Sequence, residues 1–127
     1  MSALAGLFVD KCGNIVSRVG DSGSFVINGI PTDDNYKISF GVVNPQTKEI
    51  IAETSMESAN LESVSFVISK ELTEQVGEGR FYYGIKLTDS NGVEQTVIPN
   101  AFKDREGNIL LSNPQTFTLK AKLVEGE

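Results

Sequence analysis

Three groups of acidic residues are placed where a cation could gather: Asp21, the pair Asp33-Asp34, and the run Asp89-Ser90-Asn91-Gly92. Calcium takes about six to eight oxygens from a shaped loop, usually spaced as D-x-D-x-D-G with a closing glutamate. Asp89 to Gly92 has fragments of that spacing without the closing carboxylate. Aspartate and asparagine followed by glycine also build turns, so turn formation and metal binding both fit these residues. Glu57, Glu62, Glu71, Glu74 and Glu78 could supply the two carboxylates of a glycosidase, held about 5–10 Å apart, but no motif selects a pair. The chain has no histidine and a single cysteine, Cys12. A cysteine or serine nucleophile therefore lacks its commonest base, and neither an intrachain disulfide nor a thiolate metal cluster can form. Neither phosphate-binding glycine spacing, G-x-x-x-x-G-K-[ST] or G-x-G-x-x-G, occurs, and Gly77-Glu78-Gly79 leads into a strand rather than a helix. These residues predict no enzyme, no cofactor and no metal.

The elements that would position such residues are strands. In Gly77 to Val97, Phe81, Tyr83, Ile85 and Leu87 alternate with Arg80, Tyr82, Gly84 and Lys86. A turn at Asp89 to Gly92 follows, then Val93, Gln95 and Val97 alternate with Glu94 and Thr96, which predicts a hairpin with one apolar face. Tyr36, Ile38, Phe40 and Val42 run toward Asn44-Pro45 and a second arm at Ile50 to Thr54. Phe25 and Ile27, then Val64, Phe66 and Ile68, and finally Phe117, Leu119, Ala121 and Leu123 repeat the two-residue period. Ser69 to Val76 breaks it, and Ser69 before Glu71 and Leu72, with Gly77 beyond, predicts a capped helical turn over 69–76. One sheet with this many aromatic and branched residues on a face would leave them in water. Burying each is worth about 1.5–3 kcal/mol, so a second sheet must cover them.

The expected fold is one all-β domain over 1–127, an immunoglobulin-like sandwich of seven to nine antiparallel strands. Residues 1–19 read as an N-terminal extension or assembly segment, and 100–113 as a loop insertion, with room for a small hairpin at its tip. The 127 residues suffice for one hydrophobic core. With 11 Lys and Arg against 17 Asp and Glu, the net charge is -6, and the cations are scattered, which disfavours nucleic acid. No apolar run is long enough to span a membrane, and the mildly apolar start lacks the basic region of a signal peptide.

One arrangement is similar to a known family. Gly20-Asp21, the strand with Phe25 and Ile27, then "YKISFGV" and "ESVSFVISKELTEQVGEGRFYYGIKL", followed by "DSNGVEQTV" and "QTFTLKAKLV", cover roughly residues 20–124. This passage resembles the immunoglobulin-like modules of tail and baseplate proteins in phages of Gram-positive bacteria, such as the N-terminal domain of the baseplate upper protein. The resemblance implies a non-enzymatic virion component, a tail, baseplate or collar module assembled in the bacterial cytoplasm. Its partners would be other virion or tail-particle proteins, or further copies of itself. Candidate partner contacts are Leu4, Leu7 and Phe8 near the start, Tyr82 on a strand, and Phe102, Ile109 and Leu110 in the insertion. The alternative is a carbohydrate-binding or cell-surface adhesion sandwich, for which exposed aromatics such as Tyr82 would stack on sugars.

Overall fold

The computed structural model describes residues 7–11, 13–98, 101–103, 109–111 and 115–122. Along the chain these form β1 (Leu7–Val9), β2 (Ile15–Arg18), β3 (Gly23–Ile27), β4 (Lys37–Val43), β5 (Ile50–Glu57) and β6 (Val64–Ile68). The helix α1 (Lys70–Val76) comes next. It is followed by β7 (Gly79–Thr88), β8 (Glu94–Ile98), β9 (Ala101–Lys103), β10 (Ile109–Leu111) and β11 (Thr116–Lys120). The large sheet has the order β1-β2-β11-β7-β4-β5, with β8 joined to β7, while β3 and β6 pair as a second sheet. The nine strands of these two sheets match the expected sandwich. The remaining two, β9 and β10, form a separate antiparallel hairpin within the segment read as an insertion, with Phe102 opposite Leu110 and Ile109 opposite Lys103.

Alternation decides which side of each strand is buried. Ile38, Phe40 and Val42 of β4, Tyr83, Ile85 and Leu87 of β7, and Phe117 and Leu119 of β11 all face inward. Val64, Phe66 and Ile68 of β6 meet them from the other sheet. Phe40 sits at the centre: its ring centroid lies 6.0 Å from Phe25, 5.9 Å from Phe66, 5.3 Å from Tyr83 and 5.6 Å from Phe117. Offset and edge-on ring pairs at such separations add to the burial of the rings themselves.

Ser69 caps α1, its hydroxyl accepting from the Leu72 N–H at 3.1 Å. Gly77 ends the helix at φ 84, where its N–H donates to the Thr73 carbonyl, a backbone conformation that glycine adopts without penalty. The buried Thr73 hydroxyl accepts from the Gly20 N–H at 3.0 Å and donates to the Lys70 carbonyl at 2.8 Å. That contact fastens the helix to the turn between β2 and β3.

Four details differ from the reading of the sequence. β2 runs parallel to β11, with Ile15 opposite Phe117, among strands expected to be antiparallel throughout. β1 and β2 lie beside the last described strand, with β2 next to β11 and β1 outside it, so residues 7–18, read as an extension, occupy one end of the large sheet, and Ile15 is fully buried. A bulge where β4 meets β5 sets Ala52 opposite Val42 but Ile50 opposite Val43. It leaves one unmatched residue on β5 and turns Ile50 outward, 61% exposed. Val93 belongs to the turn before β8 rather than to the strand, and is also exposed.

Candidate functional site

The acidic loop residues meet at one end of the sandwich. Asp34 Oδ2 accepts from both the backbone N–H and the hydroxyl of Ser90 at 2.9 Å, and Oδ1 accepts from the Asn35 N–H at 2.7 Å. The Ser90 N–H, then its hydroxyl, then the Asn35 N–H hold this carboxyl below the ordinary aspartate value. Asp33 accepts from the Tyr36 hydroxyl at 3.1 Å, and Asp89 Oδ1 accepts from the N–H groups of Asn91 and Val93 at 2.9 Å. Asn35 bridges the same loops, donating to Glu57 and accepting from the Ala59 N–H. Of the two readings of Asp34 and Asp89, turn construction is the one their hydrogen bonds display. No group of three or more metal-ligating side chains is assembled among the described residues.

The two adjacent tyrosines have opposite fates because strand side chains alternate. Tyr83 points inward, and its hydroxyl donates to the Gly13 carbonyl at 2.5 Å, tying β7 to the turn between β1 and β2. Burial, reinforced by the charge of Asp10, pushes its pKa up to about 12. The fold thus favours the un-ionised phenol. That contribution is intact below the ordinary value near 10 and declines as pH rises through 10 toward 12. The difference in stability between the wild type and Tyr83→Phe should therefore narrow across that interval in urea titrations at successive pH values. A difference that stays constant with pH would rule out the assignment. Tyr82 lies on the outer face, half-buried, with the Lys48 ammonium 5.4 Å above its ring. Together with Gln46, Arg80 and Thr116 it lines a hollow of about 370 Å³.

The other candidate residues are distributed along the domain. Leu7 is turned into the core, whereas its neighbour Phe8 is 64% exposed on the edge strand β1. Leu4 lies outside the described residues. Phe102, Ile109 and Leu110 lie in the β9–β10 hairpin at the register given above, so the candidates occupy an edge, a face and a hairpin rather than one cleft.

One feature of the outer face was not singled out in the sequence. Gly41 of β4 and Gly84 of β7 stand directly opposite each other, flooring a shallow groove of about 180 Å³ walled by Val43, Ile50, Lys86 and Thr96. Its signal was present: both glycines fall in the outward phase of strongly alternating strands, where a missing side chain opens the surface.

No protein family matches the chain, and neither the curated proteins nor the solved structures yield a match. The fold is that of an all-β sandwich, with the larger sheet β1-β2-β11-β7-β4-β5 set against β3-β6. No helix among the described residues is long and apolar enough to cross a membrane.

Proposed function

We propose that this chain is a non-enzymatic structural component of a phage or phage-derived tail-like particle. In this reading it is an immunoglobulin-like module that joins or decorates other particle proteins, assembled in the host cytoplasm and retained in the virion. The observation that carries the reading is the sandwich itself, built on the strand pattern of residues 20–124 that resembles tail and baseplate modules. Its polar loop residues are engaged in building turns at Asp34, Asn35 and Asp89, which leaves edges and faces as the surfaces to offer. Phe8 on an edge strand and the separate β9–β10 hairpin are the surfaces proposed to meet neighbours, since an edge with unpaired backbone groups accepts another chain's strand.

A second reading, glycan binding, is favoured by the hollow at Tyr82, where an aromatic ring lies beside the polar side chains of Gln46, Arg80 and Thr116. Density-gradient fractionation of lysates from the encoding strain separates the two. Under the structural reading the chain bands with intact particles. Under the glycan reading it stays with soluble protein, and cell-wall polysaccharide perturbs the resonances of Tyr82 in a titration.

A further inference from the structure

The cations of this acidic chain are not evenly placed on the folded surface. Strand alternation points Arg18, Lys37, Arg80, Lys86 and Lys120 away from the core, all on the outer face of the large sheet. Two of the five have acidic neighbours on that face. Lys86 is 3.0 Å from Glu94, and Lys37 stands opposite Glu57. The other three collect at the far end, with Lys120 opposite Arg18 and Arg80 opposite Thr118 in the neighbouring pairing. Arg18 uses one donor on the Ala121 carbonyl at 2.7 Å, and its guanidinium has others to offer. Lys48 joins them above Tyr82. No outward residue on β1, β2, β11 or the first half of β7 is acidic, although Asp21 rims the hollow between Phe8, Val16, Arg18 and Lys120. Four of the chain's 11 cations thus border a face that also carries the exposed ring of Phe8.

The opposite end is acidic apart from Lys37, which stands opposite Glu57 and Thr88. Asp33, Asp34 and Asp89 surround Tyr36 closely enough that all three charges raise its pKa, after desolvation and its hydrogen bond to Asp33. Glu57 joins them through Asn35. Arg80 lies near the start of β7, and Thr88 ends it beside this loop cluster. Eight residue steps along the strand separate the two, about 26 Å at a rise of roughly 3.3 Å per residue. Within one rigid sheet the basic face and the acidic end cannot meet, and at that distance their mutual attraction is screened in ordinary salt. Between two copies they can.

We propose that copies of this chain associate head to tail, the acidic loop end of one seating on the basic, Phe8-flanked outer face of β2, β11 and β7 in the next. Two different surfaces meet in such a contact, so it repeats into rings or open strings rather than stopping at a two-fold dimer. The contact rests on charge placement alone. It would supply one neighbour for the structural role proposed above, whose own test remains the gradient fractionation.

Sedimentation velocity of the full chain tests it across protein concentration and salt. At low salt the weight-average mass should climb with concentration above 13.7 kDa, and self-affinity should fall at least about tenfold on reaching half-molar salt. Arg80→Glu with Lys120→Glu should abolish the climb, as should Asp33→Lys with Glu57→Lys. These positions are surface-exposed, so circular dichroism should show both variants folded. Mixing the two variants should restore association, because each supplies the surface the other has reversed. A monomer at all concentrations in low salt would overturn the proposal. So would association that both charge reversals leave unchanged.

Discussion

Replacing Phe40 with alanine is expected to lower the unfolding free energy by about 3–5 kcal/mol, the largest loss predicted for any single side chain here. Phe40 has no solvent exposure and touches four other aromatic rings drawn from both sheets. Truncation removes the transfer energy of the ring and leaves a cavity between layers that two rigid sheets cannot collapse to fill. The ring pairs themselves contribute about 0.5–1.5 kcal/mol each in isolated measurements, though such values do not add. Phe40→Leu, which keeps most of the apolar contact, should recover a substantial part of the loss. Urea denaturation followed by tyrosine fluorescence gives both values. A loss below about 1 kcal/mol for the alanine variant would mean that the two sheets do not pack through this ring.

The second large effect concerns the first strands of the domain. Ile15→Ala should cost about 2–5 kcal/mol, while Phe8→Ala, seven positions earlier and 64% exposed, should change stability by no more than about 0.5 kcal/mol. The contrast follows from β2 lying beside β11 with Ile15 opposite the fully buried Phe117. Because β2 and β11 are the near-terminal strands of the described chain, their pairing also closes the longest loop in the fold, so its loss should reduce cooperativity as well as stability. Equal and small effects at both positions would show β1 and β2 to be an appendage that the sandwich does without.

Much of this architecture is legible before folding. The two-residue period at Ile38-Phe40-Val42 and at Tyr83-Ile85-Leu87 identifies the inward faces, and Ser69 with Gly77 brackets the helix, because each signal is local and depends on neighbours in the chain. The parallel pairing of β2 with β11 is not local. Its partners are about a hundred residues apart, and the short run Ile15 to Arg18 carries too few alternations to announce a core strand. The bulge opposite Val42 is hidden for a related reason: Ile50, Ile51 and Ala52 are all apolar, so no pattern says which of them turns inward. The same limit applies to the surfaces. Tyr82 stands out in the sequence as an outward aromatic, yet the gathering of Arg18, Arg80 and Lys120 on one face depends on the order β2-β11-β7, which joins residues far apart in sequence. Scattered charges in the chain become a patch only after the strands are ordered.

The proposed role requires that the domain work through contacts made in many copies within a particle. The most direct measurement is quantitative mass spectrometry of gradient-purified particles from the encoding strain, with isotope-labelled peptides of this chain and of the major tail protein. The predicted result is a fixed, multi-copy ratio of the two that persists through a second gradient. A ratio that falls toward zero on repurification, with the chain recovered among soluble proteins, would contradict it.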